Sequence, residues 1–263
     1  MPYTPSATDG DTDSRIQNRS LERGIEILRA FRPGSDLLGN GEIAERTGLS
    51  RATVSRLTQT LAGTGVLEHD RRARAYRLGA PVLSFALAMR NSYPILQIAS
   101  PMMQRLAETQ HINVGLATPD RDEMVYLESI RYNRKVTLRS VVAGQRVPIE
   151  LTSLGRAYLS TLTPTERTQV LDMIDAKRTN ACSAELKAQI NRSIADVQER
   201  GFCAVSWQPE VVALSTPLVV ERSPAYVLNV SVTTRSTIDD ISDELAPELL
   251  KLRAKILEHF TEQ

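Results

Sequence analysis

Cysteine and histidine are scarce in this sequence of 263 residues. The two cysteines, Cys182 and Cys203, have no metal-ligand spacing and are typical of a protein from a reducing compartment. The three histidines, His69, His111 and His259, are scattered, and none has a second ligand at helical or hairpin spacing. We therefore expect no metal site, and nothing else in the sequence indicates a cofactor.

Long apolar runs are missing too. None approaches the ~18 residues of a membrane span, and residues 1–17 are polar, without the apolar region of a secretory signal. We interpret these residues as a disordered tail and the protein as cytoplasmic. The hydrophobic content of 41% and charged content of 24% are ordinary for globular proteins, and the length allows two domains with separate cores.

Motifs of the common catalytic sites are also absent. The sequence contains no Gly-x-Ser-x-Gly, no phosphate-binding loop with lysine and no arguable cysteine–histidine couple. The glycine-rich turn at residues 39–41 precedes a predicted helix but follows no strand, unlike a dinucleotide fingerprint. We predict that the protein is not an enzyme.

Positive charge is concentrated in the first third of the chain. Residues 1–90 contain 13 arginines, no lysine and 10 acidic residues, a balance of +3. The remaining residues contain 19 basic and 21 acidic side chains, a balance of −2. This distribution is expected if only the first part contacts phosphate. Because the excess is small, tight binding would need two copies of that part on one DNA site.

A helix-turn-helix is predicted between Asn40 and Leu78. A first short helix covers residues 41–47, and a second covers residues 51–62. Between them lies the turn Gly48-Leu49-Ser50, whose serine serves as N-cap of the second helix. An ordinary pair of surface helices is the alternative.

The second of these helices has one apolar and one polar face. Val54, Leu57 and Leu61 fall at i, i+3 and i+7 and share the buried face. The other side carries short polar and arginine side chains, which suit the base edges of a DNA major groove. These candidate DNA contacts are Arg51, Ala52, Thr53, Ser55, Arg56 and Gln59.

Two short strands, residues 65–68 and 75–78, are predicted directly after the second helix. They flank a polar tip, and a hairpin in this position is typical of a wing, although a solvated loop is the alternative. A preceding helix over residues 20–31, with Leu21, Ile25 and Leu28 on one face, completes a winged helix-turn-helix domain over residues 18–79. The wing's candidates for contacts with phosphate or the minor groove are Arg71, Arg72 and Arg74.

Residues 80–110 are predicted to form a helical linker. The helix from Pro81 to Asn91 is apolar on most sides and must therefore be buried, either against a second subunit or as a cap on the next domain. A second helix, over residues 95–110, has a possible kink at Pro101.

Residues 111–263 are predicted to form one domain of mixed strands and helices. Long stretches there alternate with period two, and others have capping signals. The predicted strands cover residues 112–117, 123–130, 136–142, 202–206, 211–219 and 225–233. The predicted helices cover residues 152–162, 183–200 and 238–260, with a further helix opening at the capping box of residues 163–166.

Five segments, in the right order over nearly the whole chain from Ser20, resemble IclR-type bacterial transcriptional regulators. The resemblance implies an α+β protein with an N-terminal winged helix-turn-helix, a helical linker and a C-terminal α/β (GAF/profilin-like) effector-binding domain. It also implies a homodimer or tetramer that controls catabolic genes from a pseudo-palindromic operator in double-stranded DNA. The segments are residues 20–28, 43–54, 76–79, 152–159 and 214–218.

The resemblance further implies a pocket for a small organic acid, between the sheet and the start of the helix with the Gly-Arg pair. Backbone N–H groups at a helix start suit a carboxylate. Carried over position by position, the pocket residues are Ser153, Leu154, Ala213, Asn229 and Ser231.

This sequence departs from the family pattern around the pocket. Ala213 replaces a frequent cysteine, Asn229 replaces a serine, and residues 206–210 replace an acidic run. Trp207 in that loop could stack on a ring, although packing on the surface is the alternative. The departures favour an aromatic or hydrophobic acid over a very small keto acid.

The sequence therefore predicts a ligand-responsive, DNA-binding transcriptional regulator. Effector binding would shift the population of domain arrangements through the linker helices. A DNA-binding redox sensor using Cys182 and Cys203 is the alternative, although neither thiol has a basic neighbour in sequence to lower its pKa. A small-molecule enzyme is a more remote alternative.

Overall fold

The computed structural model describes residues 18–35, 37–132, 142–177, 182–220 and 225–261, and the chain divides into two compact units, residues 1–86 and 87–263. The predicted tail lies outside the described residues, as does the strand predicted at 136–142 apart from Val142. The mixture of helices with sheet confirms the α+β prediction.

In residues 18–80, apart from residue 36, the structure describes three helices followed by a two-stranded antiparallel hairpin. The core of this first unit is apolar and includes Ile27, Leu38, Ile43, Val54 and Leu67. Leu38 also pairs with Tyr76 through two backbone hydrogen bonds of 2.9 Å, so the loop after the first helix is tied to the hairpin. The elements are α1 (Arg19–Arg29), α2 (Asn40–Thr47), α3 (Arg51–Gly63), β1 (Leu67–Asp70) and β2 (Ala75–Leu78).

Two predictions about this unit were wrong. Leu21 is 64% exposed and Ile25 43% exposed, because α1 packs through a different stripe that buries Gly24 and Ile27. The first strand begins at Leu67 rather than at residue 65, since the chain is still turning there after α3.

The helix α4 (Pro81–Asn91) exposes its apolar residues in the single chain. None of its residues is buried in the single chain. Four large apolar side chains on it are exposed, namely Leu83, Phe85, Leu87 and Met89. Arg90, in the part of this helix that belongs to the second unit, donates to the Leu127 carbonyl at 2.6 Å and to the Glu128 carboxylate at 2.7 Å.

In the described residues of the second unit, six strands form an antiparallel sheet in the order β5-β4-β3-β8-β7-β6. Its strands are β3 (Asn113–Asp120), β4 (Glu123–Ile130), β5 (Arg146–Pro148), β6 (Cys203–Gln208), β7 (Val211–Leu218) and β8 (Tyr226–Thr233). The further helices of this unit are α5 (Pro94–Gln110), α6 (Ser153–Leu159), α7 (Pro164–Lys177), α8 (Ala184–Arg200) and α9 (Ile238–Thr261). The short strand β5 was not predicted.

Each face of the sheet has its own apolar core. One core joins the sheet to α5 and α9 and contains Leu116, Leu228 and Val230. The other joins the sheet to α6 and α8 and contains Met124 and Val227. Side chains alternate between the two faces of a strand. On the second face, the positions that do not belong to the apolar core are therefore available to line a site.

Candidate nucleic-acid interface and ligand site

The polar face predicted for α3 is accessible to solvent. Arg51, Ala52, Arg56 and Gln59 are exposed, while Thr53 and Ser55 are half-buried. The opposite face is buried at Val54 and Leu57, as predicted, and half-buried at Leu61. The structure therefore brings the six predicted contacts together on one accessible helix.

Local hydrogen bonds hold this helix in place. The Ser50 hydroxyl accepts a hydrogen bond of 3.3 Å from the backbone N–H of Thr53, which confirms the predicted N-cap. Thr58, which is fully buried, donates to Asn40 Oδ1 at 3.1 Å and so joins α3 to the start of α2. A buried threonine on this helix was not part of the prediction.

The wing tip is a four-residue turn, residues 71–74, shaped by an aspartate. Asp70 Oδ1 accepts hydrogen bonds from the backbone N–H groups of Arg72 at 2.9 Å and Ala73 at 3.0 Å. These bonds, the one from Ala73 above all, hold the pKa of the Asp70 carboxyl below its usual value. The predicted contacts Arg71, Arg72 and Arg74 are all exposed on this turn.

Arg46 and Arg77 of the first unit have acidic partners. Arg46 donates to Glu42 at 2.7 Å and to the Ala30 carbonyl at 3.0 Å, and Arg77 pairs with Glu68. Within the described part of the chain, the five predicted DNA-contacting arginines, on α3 and on the wing tip, form no ion pair. Their charge is therefore available to phosphate.

In the second unit, the six predicted effector residues line one cavity of about 470 Å³. The cavity lies over the second face of the sheet, beside the start of α6. Pockets of this size hold small organic ligands. The residues that meet there are Ser153, Leu154, Trp207, Ala213, Asn229 and Ser231.

A network of buried hydroxyl groups fixes the start of α6. Thr152 caps the helix by accepting a hydrogen bond of 3.2 Å from the N–H of Gly155. The Ser215 hydroxyl on β7 donates to the Ser153 hydroxyl at 2.8 Å, and the Cys203 thiol donates to the Ser153 carbonyl at 3.4 Å. The position of Ser153 is therefore set from both the helix and the sheet.

The Gly-Arg pair of α6 serves packing and does not line the cavity. Gly155 lies against the backbone of Ile149 so closely that a Cβ atom would overlap it. The buried Arg156 guanidinium donates to the Glu150 carbonyl at 3.1 Å and to Ser193 Oγ at 3.3 Å, and burial lowers its pKa. Arginine at this position therefore joins α6 to α8.

A second cavity, of about 330 Å³, adjoins the first. The two share six lining residues, so they form two lobes of one site: Tyr126, Gln208, Pro209, Val211, Asn229 and Ser231. Tyr126 is buried, and burial raises the pKa of its hydroxyl, an effect that the nearby side-chain amide of Asn229 opposes. Tyr126 and Gln208 were not predicted as site residues. In the sequence, each is visible only as a polar residue within a strand.

Both thiols are poorly suited to redox sensing. Cys182 and Cys203 are free and buried. Burial raises the pKa of the Cys203 thiol to about 12, so its reactive thiolate form is rare near neutral pH. These observations disfavour the redox-sensor alternative.

The described residues hold neither a candidate membrane helix nor a candidate metal-ligand cluster. No helix among them has the length and apolar character needed to cross a bilayer. In the same residues, no group of three or more potential ligand side chains from histidine, cysteine, aspartate and glutamate could hold a metal ion.

Comparison with known families gives two matches that together span most of the chain. Residues 20–71 match the IclR helix-turn-helix domain, and residues 88–257 match the family described as bacterial transcriptional regulator IclR C-terminal. The two matches correspond to the two units that carry α3 and the two-lobed site.

Individual relatives agree with these matches. The chain is 35% identical over 187 residues to the HTH-type transcriptional regulator TsaQ1/TsaQ2 of Comamonas testosteroni, covering 70% of this chain and 66%, just under two thirds, of that protein. The crystal structure of an IclR family transcriptional regulator from Brucella abortus superimposes with a TM-score of 0.80 at 31% identity, covering 95% of this chain and 96% of that one.

A third relative was solved with a ligand. The structure of an IclR homolog from Microbacterium hydrocarbonoxydans, complexed with 4-hydroxybenzoate, has a TM-score of 0.66 at 21% identity, covering 91% of this chain and 99% of that one. At this identity the similarity shows a shared fold.

Proposed function

This chain belongs to the IclR family of bacterial transcriptional regulators and carries the family's helix-turn-helix DNA-binding domain, and we propose that a small organic acid in its second unit controls its binding to an operator. One observation carries the ligand part of this proposal. The six residues expected to bind the effector, separated by up to 78 positions in sequence, line a single cavity.

Recognition of DNA is assigned to α3 and the wing. Arg56 and Gln59 contact base edges, since arginine pairs well with guanine and glutamine with adenine in the major groove. Arg51, Ala52, Thr53 and Ser55 lie beside them near the start of the helix. The wing arginines contact phosphates or the minor groove. In support of this assignment, these arginines are exposed and have no partner within the described residues.

The active form is a homodimer or a tetramer. It binds a pseudo-palindromic operator with two copies of α3 in successive major grooves. The exposed apolar residues of α4 support this proposal, because Leu83, Phe85 and Leu87 have no apolar cover in the single chain. The protein acts in the cytoplasm, where bacterial DNA lies.

The effector is proposed to be an aromatic acid. Trp207 is 38% exposed and lines the larger lobe, where its ring can stack on a ligand ring. Ala213 leaves an apolar wall in the same lobe. The 4-hydroxybenzoate bound by the homolog from Microbacterium hydrocarbonoxydans names the class of acid to test first.

The test is a fluorescence anisotropy titration with the intergenic DNA next to the protein's own gene and with random DNA of equal length. It is run at several salt concentrations, because phosphate contacts make affinity salt-dependent. We expect a preference for the intergenic DNA, altered by at least one acid from a panel of aromatic and aliphatic acids. Equal affinity for both DNAs at moderate salt would overturn the operator-binding proposal. A preference that no acid changes would overturn the effector proposal alone.

A further inference from the structure

A row of polar side chains forms the floor of the smaller lobe. In the antiparallel register, Asn113 is paired with Ser231, and Gly115 is paired with both Asn229 and Ser129. Directly paired residues point to the same face of a sheet, so these side chains share the face away from α5 and α9. The intervening residues, such as Val114 and Val230, lie in the apolar core of the other face.

Arg131 extends this row by one more position. It follows Ser129 by two residues, directly after β4, and it lines the lobe of about 330 Å³. Its Nε and Nη1 atoms are buried and donate no hydrogen bond to any residue in the described part of the chain. A guanidinium buried in this way is costly unless a partner supplies acceptors.

The other unsatisfied polar atoms cluster at the same place. Among the described residues, only four have buried side-chain nitrogen or oxygen atoms without a hydrogen bond. Three of the four line this lobe, namely Asn113 and Asn229 through Oδ1 and Arg131 through its guanidinium. The lobe therefore offers a cation and two amide groups to a ligand.

The remaining charges around the two lobes already have partners. Arg146, in the larger lobe, donates to Asp120 and Glu123 at 2.7 Å each. Glu210, at the exposed rim of the smaller lobe, pairs with Arg235 at 3.2 Å. Within the described residues, Arg131 is thus the lining cation whose charge no ion pair balances.

We propose that Arg131 binds the carboxylate of the effector in the smaller lobe. The rest of the acid passes Asn229 and Ser231 into the larger lobe, beside Trp207. A hydroxyl group on the ligand satisfies the amide oxygens of Asn113 or Asn229. This inference rests on the proposed function, that the site takes an organic acid, and it identifies which group recognises the acid.

The assignment places the carboxylate away from the start of α6. That helix has only seven residues, and the Thr152 hydroxyl already accepts the N–H of Gly155. A guanidinium with unsatisfied donors is a stronger partner for a carboxylate than the first turn of such a short helix.

The test is isothermal titration calorimetry on the full chain with benzoate, 4-hydroxybenzoate, phenylacetate and pyruvate, and with the uncharged amide of each acid that binds. We expect Arg131→Gln to weaken acid binding by at least ~10-fold and to leave amide binding unchanged. Arg131→Lys, which keeps the charge, should recover part of the loss. Arg105→Gln removes an exposed arginine on α5, on the other side of the sheet, and should bind the acids as the natural protein does.

The outcomes separate this inference from the proposed function. Acid binding that survives Arg131→Gln overturns the inference and leaves the sensor intact. An equal loss for acid and amide shows a structural role and also overturns it. If the natural protein binds none of the acids, the inference fails, while operator binding is judged from the anisotropy titration without ligand.

Thermal unfolding of each variant checks the fold, and we expect no loss of stability for Arg131→Gln, since Nε and Nη1 lose no hydrogen bond with the described residues.

Discussion

The Ser215 hydroxyl donates a hydrogen bond of 2.8 Å to the Ser153 hydroxyl, and both residues are buried. This bond joins β7 to the first residue of α6, where the larger lobe of the ligand site begins. Its removal leaves Ser153 with a buried oxygen that has lost its donor.

Ser215→Ala should therefore lower the free energy of unfolding by about 1–2 kcal/mol. Urea denaturation measures the change. Ser206→Ala provides the control, because Ser206 is exposed on the neighbouring strand β6. Equal effects of the two substitutions would contradict the role given to the buried bond.

Arg56→Ala should relax base preference at one position of the operator at a cost of ~1–3 kcal/mol. The reason is that arginine on α3 reads a base edge in this proposal. Competition with operators altered at single base pairs measures the preference. An unchanged preference would show that another side chain of α3 faces the bases.

Arg71→Ala should weaken binding to all DNA sequences alike and reduce the dependence on salt by about one phosphate contact. This wing arginine is assigned to the backbone or minor groove rather than to a particular base in the major groove. Arg235→Ala, in the second unit, is the control for loss of one positive charge. A change in base preference for Arg71→Ala would move this residue into the group that reads sequence.

Gly115→Ala should damage the floor of the ligand site. A Cβ atom at this position would collide with the Tyr126 ring and the Asn229 side chain, which pack over it. We expect a loss of about 1–3 kcal/mol in stability, typical of overpacking, together with weaker ligand binding. Gly24→Ala on α1 has open space and should instead stabilise the protein by about 0.5–1 kcal/mol. Thermal unfolding of both variants tests the contrast.

The capping box of α7 should contribute stability that depends on pH. The N–H and hydroxyl of Thr163 donate to Glu166 at 2.9 and 2.7 Å, and these bonds lower the pKa of the Glu166 carboxyl in the folded state. A lowered folded pKa means that the contribution is full above the unfolded pKa and disappears as pH falls through the folded pKa.

Glu166→Gln should therefore destabilise the protein at neutral pH, and the difference from the natural protein should shrink in acid. Urea midpoints across a pH series measure this convergence. Glu199→Gln, on the exposed surface of α8, changes the net charge equally and serves as the control. A difference that stays constant with pH would refute the ionic part of the capping box.

Leu83→Glu should shift the protein towards the monomer. Leu83 is 65% exposed on α4, beside other exposed apolar residues, and a charge there would oppose burial against a second copy. Val219→Glu is a matched control, because Val219 is also 65% exposed but lies outside the helix. Sedimentation velocity measures the mass of each variant. Identical masses would exclude α4 as the contact between subunits.

Local chemistry explains which elements were predictable. Ser50, Thr163 and Glu166 cap helices as expected, because a capping signal acts within three residues of sequence. The strand β5 escaped prediction, since three residues are too few for an alternating pattern and its pairing with β4 depends on contacts distant in sequence. The stripe on α1 was misassigned because two apolar stripes compete there, and tertiary packing decides between them.

The ligand site was predictable only in part, for a related reason. Its larger lobe came from positions matched to a known family. Its smaller lobe depends on Asn113 and Arg131, which strand register alone brings to the same face as Asn229. Neither residue has a local signal, since an isolated asparagine or arginine on a strand is equally consistent with a solvated position.

Trp207 lines the larger lobe and is the only tryptophan in the sequence. Its fluorescence therefore arises from the ligand site alone, without background from the DNA-binding unit. The protein contains its own optical reporter, and occupancy of the site can be followed in unlabelled material, even while operator DNA is bound.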